Sequence, residues 1–258
     1  MTAVTEPGRA WPVQTVLAPI VLGLIVVLCW QGAVIAFAIK PFVLPAPFTI
    51  GAQFASNLPS VVAGMSVTGG NAVVGLLLGL VIGVLLAIVS ALVRVVDGMA
   101  APMVSAIAVV PIVALAPVLY TLFGAGAETA RQLVAALAVF VPVYFNTLKG
   151  LRQVRPVHRD LMRSYAASNG QATRAVTLPT ALPFVFTGLR IASSLAVISA
   201  LIAEYFGGPV GGLGKSITSA AASSNYGLAW AYVLGSILLG LAFYGGARAL
   251  ERVVLRRA

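Results

Sequence analysis

Six stretches of this chain stay apolar for about twenty residues at a time, at roughly 13–39, 70–93, 99–123, 129–148, 183–206 and 228–249. A run of that length, wound as an α-helix, matches the hydrocarbon thickness of a bilayer. Inside lipid every backbone N–H and C=O must be satisfied within the protein, which a helix does. The runs therefore predict an all-α, polytopic membrane protein of about six transmembrane helices. Charge supports this: Asp, Glu, Lys and Arg make up 9% of the 258 residues, against about 25% in a soluble domain. The chain has room for one transmembrane domain over 1–258, its core at about 60–250.

The positive charges orient the spans. With a cytoplasmic N-terminus, Arg9, Arg94, Lys149, Arg152, Arg155, Arg159, Arg163, Arg174, Arg248, Arg252, Arg256 and Arg257 all fall inside. Lys40, Arg131 and Lys215 fall outside, and Arg190 sits near the inner start of the fifth span, where it can snorkel. Basic residues gather on the cytoplasmic side of membrane proteins, so this arrangement puts both termini in the cytoplasm. The same rule makes the net charge of +10 a poor pointer to nucleic acid. Arg9 and the small residues Ala36 and Ala38 imitate a signal peptide. The apolar run between them is too long for one, and is expected to stay as the first span.

Local composition shapes the spans further. Lys40 to Pro47 holds Pro41, Pro45 and Pro47 and cannot be regular helix. Residues 49–65 are expected to form an amphipathic helix at the outer interface. Gly75, Gly79 and Gly83 give the second span a small-residue stripe, expected to pack within the subunit rather than against another copy. Pro102, Pro111 and Pro117 must kink or break the third span, either as a packing feature or along a transport path. The fifth span ends in Ala203, Glu204, Tyr205 and Phe206, before a glycine-rich run to Gly214. A carboxylate there is either solvated at the interface or turned into the bundle as a functional group. Cys29, the one cysteine, excludes an internal disulfide and is expected to pack between helices.

Between the fourth and fifth spans lies a polar insert, Lys149 to Pro183, with six of the sixteen Lys and Arg residues and a doubled Leu-Pro at its end. Pro156 suits a helix start. Over 157–167, Leu161, Met162 and Tyr165 share one helical face, flanked by Arg159 and Arg163. These arginines suit either acidic groups of a partner or lipid head groups. The one histidine, His158, has no ligand cluster around it and reads as a solvated residue, so no metal site is expected.

No phosphate-binding glycine loop, no chain of intramembrane acids, and no nucleophile paired with a base is visible. The spans look like a passage without its own energy source, which gives a membrane-embedded enzyme no visible catalytic constellation and weakens the alternative of a self-powered secondary transporter or channel. The insert is then the natural place to receive an energy-coupling partner.

The insert resembles the coupling loop of ABC-importer permeases, the binding-protein-dependent transport inner-membrane family. That family's pattern is Glu-Ala-Ala, three residues, Gly, nine residues, Ile-x-Leu-Pro. Aligned on Val176, Leu178 and Pro179, the glutamate position falls on Asp160, the alanines on Leu161 and Met162, and the glycine on Ala166. Leu178 to Phe184, Thr187 to Arg190, Phe42 to Pro45, Pro111 with Pro117 before Phe123 to Gly126, and Glu204 before Gly212 to Gly214 resemble the nitrate/sulfonate/taurine branch. Asp160 to Ser168 and Glu204 to Gly208 look more like permeases for riboflavin or thiamine-precursor pyrimidines.

The resemblance implies a multi-pass permease of the bacterial inner (plasma) membrane, paired as a homodimer. Cytosolic ABC ATPase subunits would dock on residues 150–178, through Arg159, Asp160, Leu161, Met162, Arg163, Tyr165 and Ala166. An extracytoplasmic substrate-binding protein would deliver the solute. Pro111, Pro117, Glu204 and Tyr205 would lie along the translocation path. ATP and Mg would be used by the partner ATPase, with no cofactor in this chain.

Overall fold

The computed structural model describes residues 12–124, 126–207 and 211–256. Arg9, Ala125, Gly208, Pro209, Val210 and Arg257, which entered the sequence reading, lie outside them. Every regular element among the described residues is helical. In chain order these are α1 (Pro12–Ala36), α2 (Pro47–Ser56), α3 (Leu58–Leu92), α4 (Arg94–Val109), α5 (Ile112–Phe123) and α6 (Glu128–Arg152). Then follow α7 (Pro156–Ser164), α8 (Asn169–Ala172), α9 (Leu178–Phe206), α10 (Leu213–Ala222) and α11 (Tyr226–Leu255).

Among the described residues, five helical stretches are long and apolar enough to cross a membrane: α1, α3, α6, residues 169–206 and α11. The third predicted span is instead a broken pair, α4 and α5, bent by 101°. The break falls at Val110-Pro111, where Pro111 has no N–H to continue the ladder and holds its predecessor extended (Val110 ψ 125°). Pro102 and Pro117 are accommodated inside their helices.

Two expected boundaries move. The second span begins at Leu58, not near 70, so the interfacial helix expected over 49–65 is only the short α2. Asn57 ends α2, its backbone N–H donating to Gln53, and Pro59 fits the first turn of α3, where no intrahelical donor is needed. The fifth span is preceded by α8 and a π-helical turn, Thr173–Thr177, so the chain is helical from Asn169 to Phe206.

The core is α3, α6 and α9, packed through small residues. A Cβ on Gly79 would lie 2.7 Å from Val139 Cβ, and one on Gly83 2.9 Å from Val143 Cγ1. The glycine stripe thus lets α3 close on α6 inside this chain, backbone near backbone. Ala192, Ala196 and Ala200 do the same on α9, joining Ala72, Val139 and Val143 in the main buried cluster. Because lipid tails are as apolar as leucine, close van der Waals packing rather than water exclusion holds such helices together.

Two ion pairs close the end of the bundle that carries α7. Arg152 meets Asp97 at 2.6 Å, joining the end of α6 to the start of α4. Arg190 meets Glu251 at 3.4 Å, joining α9 to α11, so this arginine is paired inside the fold rather than snorkelling. By contrast α1 lies at the edge. Trp30 packs edge-on against Trp230 at 5.6 Å, and the Phe48 N–H donates to Gln31, but Leu22, Leu24 and Leu28 stay exposed. Cys29 is exposed there too, which corrects its expected place between helices.

Candidate functional site

α7 stands clear of the bundle with no buried residue. Pro156 occupies its first turn, Arg155 precedes it in extended conformation, and the amphipathic pattern carries it for nine residues. Its exposed apolar stripe is Val157, Leu161 and Tyr165, spaced four apart, with Tyr165 73% exposed. Val157 was missed in the sequence reading, while Met162, expected on that face, is partly covered. Arg159, Asp160, Arg163 and His158 are exposed, and Asp160 pairs loosely with Arg163 at 3.6 Å. That contact is screened by water and holds the helix little.

The turn after α7 gives Ala166 a specific geometry. Its φ is +49°, in the left-handed region. The Ala167 N–H donates to the Met162 carbonyl at 3.0 Å, and the Ala166 N–H to the Arg163 carbonyl at 2.9 Å. Two such crossed bonds make a Schellman ending, in which glycine usually takes the left-handed place. Alanine occupies it here. Ser168 then opens the next helix with a capping box: its hydroxyl accepts from the Gln171 N–H, and the Gln171 side chain accepts from the Ser168 N–H.

At the opposite end, α9 meets α10 in a buried polar corner. Glu204 has no exposed surface. Its carboxylate accepts from the Thr68 hydroxyl at 2.9 Å and from the Gly214 N–H at 2.8 Å. Thr68 in turn accepts from the Leu213 N–H at 2.8 Å. One carboxylate thus satisfies the first turn of α10, directly and through Thr68, where negative charge also complements the helix dipole. Gly212, at φ +96°, lies against that carboxylate, and a side chain there would displace it.

The last turn of α9 receives the opposite charge. Buried Arg131 donates from Nε to the Tyr120 hydroxyl at 3.3 Å, and Tyr120 donates to the Ala203 carbonyl at 3.1 Å. A cation reached through a tyrosine therefore supports the carbonyl end of α9. The sequence counts Arg131 among the outer charges, at the start of the fourth span. It lies one turn into α6 and inside the fold. Thr68, Tyr120 and Arg131 were all missed, because nothing in their spacing marks them as partners of Glu204.

The four residues expected along a path divide unequally. Pro111, Pro117 and Tyr205 are exposed. Glu204 is enclosed, its oxygens accepting from Thr68 and Gly214, so its side chain clips helices together within this chain. Among the described residues no group of His, Cys, Asp and Glu could hold a metal ion.

Comparison with known proteins adds to this geometry. The family model described as binding-protein-dependent transport system inner membrane component matches residues 75–256. A riboflavin transport system permease protein of Chloroflexus aurantiacus is 34% identical over 248 residues, covering 95% of this chain and 91% of that one. A formylaminopyrimidine transport permease protein of Halalkalibacterium halodurans is 28% identical over 224 residues, covering 84% and 86%. The solved crystal structure of an amino acid ABC transporter with histidines shares the fold, with a TM-score of 0.63 at 16% identity, over 79% of this chain and 96% of that one.

Proposed function

From the premise that the chain belongs to the family of binding-protein-dependent transport system inner membrane components, we propose that α7 couples it to a cytosolic ATPase and that a second copy completes the path. The chain is the membrane-spanning permease subunit of an ABC importer, a multi-pass protein of the inner membrane. In this reading the single permease domain catalyses no reaction, and the partner ATPase binds ATP and Mg. The α7 end faces the cytoplasm, since Arg94, Lys149, Arg152, Arg155 and Arg252 all lie at helix ends on that side.

The observation that carries the coupling role is the stripe Val157, Leu161 and Tyr165, exposed along α7 and its C-cap, where no residue is fully buried in this chain. Such a helix fits a groove on another protein, and Arg159 and Arg163 beside it suit acidic rims. The test is copurification with the partner ATPase and transport in proteoliposomes. Leu161→Glu should abolish both while leaving the permease folded. If a variant lacking 157–168 still assembled and transported, the coupling role would be refuted.

The solute in this reading is a small heteroaromatic compound of the riboflavin or pyrimidine-precursor type. The similarity to the riboflavin permease over nearly the whole of both chains supports it. Thermal shifts of the partner binding protein with riboflavin, a formylaminopyrimidine and taurine test it. A shift with taurine alone would overturn it.

A further inference from the structure

Several clefts among the described residues are lined almost wholly by carbon, as between α9 and α11 or between α1 and α2. Another is more polar. An open cleft of about 440 Å³ between α10 and α11 is lined by Lys215, Ser216, Ser219, Ser223, Leu228 and Tyr232. Lys215, Ser219 and Ser223 recur every four residues and so form one stripe along α10. The volume lies within the roughly 300–1,000 Å³ of small-molecule sites. A protein partner would need a patch of about 800 Å² per side instead.

The lining has a definite hydrogen-bond character. The Ser216 hydroxyl donates to the Gly212 carbonyl at 2.9 Å, and the Ser223 hydroxyl to the Ala220 carbonyl at 3.0 Å. Their protons are committed to their own helix, so towards the cleft they offer lone pairs. Lys215 offers only N–H donors, and among the described residues no carboxylate pairs with it. Leu228 and Tyr232 supply an apolar wall. The base of the stripe is fixed, because Gly214, next to Lys215, donates its N–H to the buried Glu204. Glu204 is therefore a positioning residue for this cleft.

We propose that this cleft holds the solute during its passage and recognises a ring edge on which a carbonyl oxygen stands beside an N–H. Lys215 donates to the carbonyl, Ser216 or Ser223 accepts from the N–H, and the ring lies along Leu228 and Tyr232. The inference rests on the heteroaromatic solute proposed above and names the part of it that is read.

Uptake into proteoliposomes holding permease, partner ATPase and binding protein tests it, with riboflavin, N3-methylriboflavin and taurine as probes. The wild type should prefer riboflavin to its N3-methyl form, which lacks the ring N–H. Lys215→Met should raise the KM for riboflavin about tenfold or more, the loss of a charged hydrogen bond. Lys215→Arg should restore much of it, and ATPase activity with solute-free binding protein should not change. Should Lys215→Met fail to assemble, Lys215→Arg paired with Ser216→Ala carries the same comparison of KM values. Riboflavin uptake with an unchanged KM in Lys215→Met overturns the cleft assignment alone. Weaker binding of the binding protein itself, whatever its load, overturns it in favour of a docking contact. A wild type that imports taurine and not riboflavin overturns the solute reading and this assignment with it.

Discussion

Replacing Ala166 by glycine is expected to tighten the ending of α7. Ala166 sits at φ +49°, where the Cβ of an L-residue crowds the following carbonyl at about 1–2 kcal/mol. It is held there by the bonds from Ala166 to Arg163 and from Ala167 to Met162. Glycine removes the crowding but gives back about 0.4–1 kcal/mol through a freer unfolded chain. The balance is about 0.5–1 kcal/mol in favour of the closed turn, or about two- to fivefold in its opening equilibrium. Amide hydrogen exchange measures that equilibrium directly. The amides of Ala166 and Ala167 should slow by that factor in Ala166→Gly, with those of α6 unchanged. In Ala166→Val they should speed up, because a β-branched side chain is crowded further. Unchanged or faster exchange in the glycine variant would refute the reasoning.

Other expectations concern the packing. Glu204→Ala leaves the Thr68 hydroxyl and the Gly214 N–H buried without their acceptor, at about 1–3 kcal/mol each; a thermal midpoint in detergent within error of the wild type would contradict the clip. Gly79→Val places a Cβ 2.7 Å from Val139 Cβ. Overpacking of that kind costs about 1–3 kcal/mol or more, so chemical unfolding should detect a loss, and a neutral result would mean that α3 and α6 separate freely. Asp97→Asn removes the pair with Arg152, both partly exposed, so it should cost under about 1 kcal/mol and the cost should shrink in high salt. A large, salt-independent loss would mean that Asp97 acts otherwise.

The spans were legible because lipid leaves the backbone one solution, and their apolar runs record it. The glycine stripe of α3 was legible for the same reason, since only small residues at that spacing allow the approach to α6. Boundaries were less so. Residues 58–69 lie outside the second span as the sequence delimits it, yet they belong to α3, where contacts such as Thr68 with Glu204 and Gly64 beside Leu213 give their polar and small residues partners. Those partners lie more than a hundred residues away, and no spacing rule reaches so far. Arg131 misled for a related reason: a charge near a span end reads as interfacial until Tyr120 and the carbonyl end of α9 appear beside it. On α7 the period located the face but not its edge, so Val157 replaced Met162.

The unbroken helical run from Asn169 to Phe206 has a mechanical consequence. It is 38 residues long, a rod of about 57 Å at 1.5 Å per residue. One tip begins at the Ser168 cap, four residues after α7 ends, and near the other Glu204 grips the foot of α10. Tilting such a rod by about 10° about one tip sweeps the other through about 10 Å. Near the first tip lies the wider, π-helical turn at Thr173–Thr177, a rare geometry in an otherwise regular helix. A pull on one face of the membrane would thus arrive at the other as leverage, scaled by the length of a single helix.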